Sequence, residues 1–111
     1  MKVRIVSPDR TVFDGEAAGV VAPGWDGQVG VLPGHAPMIT LLGIGALDVD
    51  LPAGQGSDRY YVAGGALKVV ANEVTILTDY AGDTPPEHIP ESARIEKEDL
   101  LAHASAGNIF A

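Results

Sequence analysis

The chain has 111 residues, of which 46% are hydrophobic, 20% charged and 5% aromatic; it has no cysteine, and 15 Asp and Glu against 7 Lys and Arg give a formal net charge of −8. That length suits one domain, the acidic balance argues against nucleic-acid binding and a polybasic membrane anchor, which both need basic clusters, and the absence of thiols excludes disulfides, thiolate zinc sites and cysteine nucleophiles. No run approaches the ~20 apolar residues of a membrane span, and the opening MKVRIVSPDR has no apolar stretch of the kind a signal peptide needs, so any membrane association is expected to be indirect.

With so few aromatics the core must rest on Val, Ile, Leu and Ala, which leans towards strands. Val3–Val6 reads as a strand stopped by Ser7-Pro8-Asp9, where Pro8 lacks an N–H and Ser and Asp favour local turn bonds. Thr11–Phe13 resumes it, and Gly19–Ala22 follows, stopped by Pro23-Gly24. Gly27–Leu32 alternates, with Val29 and Val31 on one face and Gln28 and Gly30 on the other. Met38–Leu42 is a further strand, and Gly43–Gly45 bends the chain. Ala46–Leu51 carries the cleanest period of two: Leu47, Val49 and Leu51 inward, Asp48 and Asp50 in water. After the Gly-rich tip Pro52–Asp58, Arg59–Ala63 is expected to pair with Ala66–Val70 across Gly64-Gly65 in a tight primed hairpin. Asn72 makes the next turn, and Val74–Thr78 is the last strand.

Eight to ten short strands in about 80 residues predict a mainly β fold, a flattened antiparallel sandwich or barrel of about ten strands. The domain is expected over residues 1–82, with a linker at 83–90 around Pro85-Pro86 and a short tail at 91–111. That tail holds the single helical pattern, Glu91–Ser105, whose apolar stripe is weak and discontinuous.

Catalytic constellations are missing from this pattern. His35, His88 and His103 share no ligand spacing, so no metal is expected. None of Ser7, Ser57, Ser92 and Ser105 stands in a nucleophile-elbow context. Asp48 and Asp50 share a strand face but have no basic neighbour in the sequence to tune them, so they read as a solvated face. The Gly24–Gly30 stretch lacks a phosphate-loop pattern and a following helix. No cofactor is expected.

Gly27–Pro37 carries more constraint than a loop needs. Leu32-Pro33-Gly34-His35 fits a type II turn, with Pro33 setting φ and Gly34 accepting a positive one. Pro37 holds Ala36 extended. A stiff, presented loop loses little entropy on docking, and it equally makes a good sheet corner; turn physics does not separate the two.

The same stretch, GQVGVLPGHAP, resembles the G-x-x-G-x-L-P-G-H-A-P signature of the epsilon subunit family of rotary F-type ATP synthases (called delta in mitochondria). Val3–Ser7 with Val12–Glu16, Val62–Val69 around Gly64-Gly65, and Val74–Asp79 resemble other family segments in the family's order, so the likeness covers about residues 1–80. It implies a β-sandwich at the foot of the central stalk, with gamma and the c-ring as partners, which couples ion-driven rotation to ATP synthesis at the cytoplasmic face of the bacterial inner membrane and does no chemistry itself. Carried over, Gln28 stands where related sequences often have a Glu facing the c-ring loop; a neutral amide there can hydrogen-bond but not form an ion pair. His35, Met38 and Thr40 match the region against gamma, with core packing as the other reading for Met38. The family's ATP-binding pattern is absent, and the roughly 20 residues after the linker are too few for its helical hairpin, which predicts weak or no inhibition of ATP hydrolysis. The other reading of the residues is a free-standing β-sandwich module that binds protein or carbohydrate.

Overall fold

The computed structural model describes residues 1–86; the expected helix Glu91–Ser105, the tail and the second half of the linker lie outside the described residues. Ten strands follow one another: β1 (Lys2–Ser7), β2 (Arg10–Glu16), β3 (Gly19–Gly24), β4 (Gly27–Val31), β5 (Met38–Leu41), β6 (Ile44–Asp50), β7 (Ser57–Ala63), β8 (Ala66–Val70), β9 (Glu73–Leu77) and β10 (Tyr80–Gly82). They form two five-stranded sheets, the first in the order β2-β1-β9-β8-β5 and the second in the order β10-β7-β6-β3-β4.

The core lies between the sheets and follows the period of two. Val3 and Ile5 from β1, Val74 and Ile76 from β9, and Leu67 and Val69 from β8 are fully buried in the first sheet. Leu47 and Val49 from β6, Val62 from β7 and Val20 and Val31 from β3 and β4 meet them from the second. Burying each such aliphatic side chain contributes about 1.5–3 kcal/mol relative to leaving it in water, so the paired rows of branched residues hold the sandwich closed with little help from aromatics. Phe13 and Tyr60 close one side edge-on, with ring centroids 6.2 Å apart.

Three expectations are corrected. Val74–Thr78 does not hold the last strand: β10 follows it and pairs with β7 in the other sheet. Pairing is not antiparallel throughout: β1 runs parallel to β9, from Lys2 beside Glu73 to Val6 beside Leu77. A parallel neighbour needs a long connection, and here the intervening chain travels through the second sheet before returning. Nor is Gly64-Gly65 a hairpin. β7 pairs with β6 and β10, whereas β8 pairs with β5 and β9. The glycines therefore carry the chain from one sheet to the other. They run beside the other crossing, Leu42-Gly43, between β5 and β6. The Gly64 N–H donates to the Gly43 carbonyl at 2.9 Å, and the Leu42 N–H donates to the Gly65 carbonyl at 2.9 Å. Gly65 has φ +105°, and a Cβ there would fall onto the Leu77 carbonyl and 2.7 Å from Thr78 Cα. Composition alone made Gly-Gly look like a primed turn; the same left-handed freedom and the same lack of a side chain also serve a close crossing.

The joint is tied further by Thr78. Its hydroxyl is buried within 2.7 Å of the Gly64 carbonyl, 2.9 Å of the Tyr80 carbonyl and 3.2 Å of the Ala63 carbonyl. One proton cannot serve three acceptors at once; a bond to Ala63 or Gly64 ties the chain before β10 to the crossing, and a bond to Tyr80 shapes the entry to β10.

Candidate functional site

The outward face of a solvated antiparallel sheet ordinarily alternates to polar residues. On the first sheet, part of that face does not. Leu41 stands beside Ala66, Ala66 beside Leu77, and Leu77 beside Val6, so one apolar row crosses four strands. Leu41 and Leu77 are each 55% exposed, and Ile39, one outward position further along β5, is 73% exposed. With Ser7, Pro8, Gly65, Thr78 and, at its rim, Asp79 the row forms a shallow groove of about 540 Å³. Further down the same face the row gives way to charge: Lys68 beside Thr75, Arg4 3.8 Å from Asp14, and Lys2 between Glu73 and Glu16. The face is thus dry at one end and wet at the other.

The Gly27–Pro37 stretch spans the length of the sandwich instead of forming one compact loop. Gln28 is exposed near the tip of the β3–β4 hairpin, opposite Pro23. β4 then runs about 10 Å from Gln28 to Val31 before the chain turns. At that far end the expected turn is present: the His35 N–H donates to the Leu32 carbonyl at 3.1 Å, and Gly34 has φ +82°. The sequence did not signal what anchors it. The Gly34 N–H donates to Asn72 Oδ1 at 2.9 Å, which fastens the turn to the β8–β9 corner of the opposite sheet. His35 is half-buried, and with Nδ1 protonated its ring donates to the Ala36 carbonyl at 2.7 Å.

Met38 and Thr40 lie opposite Val69 and Leu67, both fully buried, so they share the inward face of β5, and Met38 packs on the core. Ile39 and Leu41 take the outward face of the same strand. Every residue of Met-Ile-Thr-Leu can pass as either face, so β5 carries no readable alternation. Leu77 was legible: in Val74-Thr75-Ile76-Leu77 the buried positions are Val74 and Ile76, which leaves Leu77 outside. Gln28 and His35 are not brought together, since they sit at opposite ends of β4.

The second sheet's outward face is wet around Asp48 and Asp50 and carries the exposed Ile44 at its other end. Asp48, expected to have no basic neighbour, lies directly across from Arg59, which donates from Nε to Oδ1 at 2.8 Å and from an NH2 group to Oδ2 at 3.1 Å. The hydrogen bonds from Arg59 hold the Asp48 carboxyl below its ordinary range, and the same bonds raise the guanidinium. The two residues are eleven apart in the chain, and only strand pairing joins them. This is a surface clamp between β6 and β7 and not a proton-transfer pair. Among the described residues no group of His, Asp and Glu is placed to hold a metal ion. Of the aromatic side chains, Trp25 is half-buried, Tyr61 and Tyr80 are half-buried on the second sheet's outward face, and Tyr60 packs on the core, where burial raises its phenol. The Trp25 backbone N–H donates to the Leu41 carbonyl at 3.1 Å.

Comparison with known proteins agrees with this geometry. Residues 1–83 match the family described as ATP synthase, Delta/Epsilon chain, beta-sandwich domain. The ATP synthase epsilon chain of Herminiimonas arsenicoxydans is 40% identical over 105 residues, covering 91% of this chain and 74% of that protein. The epsilon chain of Psychrobacter cryohalolentis is 43% identical over 109 residues, covering 95% and 77%. Among solved structures, a chain of the Euglena gracilis mitochondrial ATP synthase (the OSCP/F1/c-ring assembly) superposes with a TM-score of 0.67 at 27% identity; the match covers 95% of this chain and 61% of that one.

Proposed function

Because this chain belongs to the delta/epsilon β-sandwich family of ATP synthase subunits, we propose that it is a non-catalytic rotor subunit of the central stalk, docked on gamma and on the c-ring to couple ion-driven rotation to ATP synthesis. The observation that carries the docking role is the apolar row Val6, Leu77, Ala66, Leu41 on an outward sheet face. Exposed apolar side chains contiguous across four strands mark a contact surface for another macromolecule. Covering Leu41, Leu77 and Ile39 contributes about 1.5–3 kcal/mol each when water is fully excluded. We assign this row to gamma. His35 reaches the same partner from the opposite end, while Met38 and Thr40 support β5 from within. Pro33, Gly34 and Pro37 shape the turn that presents His35. Gln28, exposed near the β3–β4 hairpin tip, is assigned to the polar loops of the c-ring, as a hydrogen-bonding and not an ionic contact.

On this reading the chain works at the cytoplasmic face of the bacterial inner membrane, held there by its partners; among the described residues no helix is long and apolar enough to cross a membrane. The test is capture by a purified gamma-type subunit: saturable binding is expected, and absence of binding to gamma or to motor lacking this subunit defeats the reading. The residues after the linker offer Arg94 and Lys97 against Glu91, Glu96, Glu98 and Asp99, a poor match to the acidic surfaces that an inhibitory basic helix seeks. Ending the chain after Asp83 is expected to leave ATP hydrolysis by the assembled motor nearly unchanged; strong activation would show that the tail inhibits.

A further inference from the structure

The four edges of the two sheets are not equally protected against pairing with another chain. An unguarded edge strand offers free N–H and C=O groups, and proteins blunt such edges with charge, proline, glycine, bulges or brevity. β2 carries Arg10, Asp14 and Glu16 and a register shift opposite Ile5 and Val6. β4 is interrupted by Gly30 and begins at Gly27 with φ +139°. β10 has three residues, and Arg10 reaches its Ala81 carbonyl at 3.5 Å. β5 is short, at four residues, but lacks the other guards: Met38–Leu41 is uncharged, free of glycine and proline, and pairs with β8 in unbroken register.

The direction of its backbone groups can be read from its end. The Leu42 N–H is spent on the Gly65 carbonyl, on the β8 side, whereas the Leu41 carbonyl accepts from Trp25 on the other side. In an antiparallel ladder consecutive residues alternate between the two sides. The N–H and carbonyl of Ile39 and the N–H of Leu41 therefore point away from β8, to an edge where no strand is paired. The side chains of these same two residues stand on the outward face, 73% and 55% exposed. The backbone groups and side chain of Ile39, with the N–H and side chain of Leu41, are thus free of partners, while the end of β3 meets this edge just beyond, at the Gly24–Leu42 bridge.

We propose that gamma docks by strand addition: an extended gamma segment pairs with the outer edge of β5 and enlarges the first sheet from five strands to six. Alternate apolar side chains of that segment lie beside Ile39 and Leu41 and extend the apolar row. The inference rests on the assignment of this face to gamma and concerns how the contact is made. Main-chain bonds give such a contact its strength and the alternate side chains give it register. The Leu41 carbonyl, already bonded to Trp25, sets where the added strand must stop.

The test removes one outward N–H without touching the β8 ladder. Ile39→Pro deletes the N–H and the side chain; Ile39→Ala deletes the side chain alone. Proline is tolerated on an edge whose N–H faces outward. Binding of each full-length variant to gamma is measured beside amide exchange at Thr40, which reports whether β5 still pairs with β8. Ile39→Pro is expected to bind about tenfold or more weaker than Ile39→Ala, because the gamma carbonyl opposite is left buried and unpaired. Equal affinities in two folded variants overturn strand addition and leave the gamma assignment standing. If the proline variant loses Thr40 protection, the decision falls to the unmodified chain. There the Ile39 and Leu41 amides are expected to exchange quickly when free and at least about tenfold more slowly in the complex. Unchanged exchange at both overturns the inference. An unmodified chain that does not bind gamma overturns the docking assignment and this inference with it.

Discussion

The two outward sheet faces were built from similar strands and ended up with opposite chemistry. On the second sheet, Asp48 and Arg59 pair across β6 and β7, and Asp50 is exposed beside Ser57. On the first, Leu41, Ala66, Leu77 and Val6 line up where polar residues would serve water better. Each aliphatic side chain left in water forgoes stabilisation it would gain if covered, so an apolar row on a small acidic protein is a cost to the free chain that a partner recovers. On the proposed reading the first face is prepared for a dry contact, while the second keeps its Asp48–Arg59 stretch in water.

The harshest way to break this contrast is to break the joint that separates the faces. Gly65→Ala places a methyl group against the Leu77 carbonyl and Thr78 in a left-handed backbone. It is expected to cost at least about 3 kcal/mol, read as a lower urea midpoint, with gamma binding lost along with the fold. A milder change inverts one face and leaves the fold alone. Leu77→Asp puts a charge in the middle of the apolar row at a position already half exposed. It is expected to weaken gamma binding by about ten- to a hundredfold with an unchanged thermal midpoint, whereas Asp48→Asn on the other face is expected to leave binding unchanged. Equal effects from the two would erase the distinction between the faces.

Smaller changes sharpen the contrast. Ala71 sits at φ +50° next to Asn72 at φ +63° in the β8–β9 turn, a conformation that suits Asn or Gly better than Ala. Ala71→Asn is expected to stabilise the chain by up to about 1 kcal/mol, measured by denaturant unfolding, without altering gamma binding. The smallest effect belongs to the wet face. The folded-state carboxyl of Asp48 titrates below its unfolded value, chiefly through the hydrogen bonds from Arg59. Its contribution is therefore fully present above the unfolded value and lost as pH falls through the lowered one. Being an exposed pair, it contributes little. In the Arg59→Gln variant the acid limb of the stability curve is expected to move only slightly, towards higher pH; a large shift would mean that the clamp carries more of the fold than its exposure allows.

Much of this was legible in the sequence because its signals are local. The period of two in Ala46–Leu51 placed Leu47 and Val49 in the core, and the pair Pro33-Gly34 demanded the type II turn that the His35 N–H closes. Both depend on residues within a few positions of one another, so residue type alone determined them. What lay beyond reach was pairing between distant segments. Gly64-Gly65 permits a hairpin and a sheet crossing equally, and only the neighbours of β7 and β8 decide between them. Met38–Leu41 holds no charged or strongly polar residue, so its inward and outward faces were set by the buried partners Val69 and Leu67 on β8. The Asp48–Arg59 clamp, the Asn72 anchor of the turn and the apolar row each join residues brought side by side by strand register. The sequence by itself determined where strands and turns fall and that the core is branched and aliphatic, because backbone sterics and hydrophobic period act locally. Tertiary structure alone decided which face stays dry and which strand edge stays open, because those follow from which strands become neighbours.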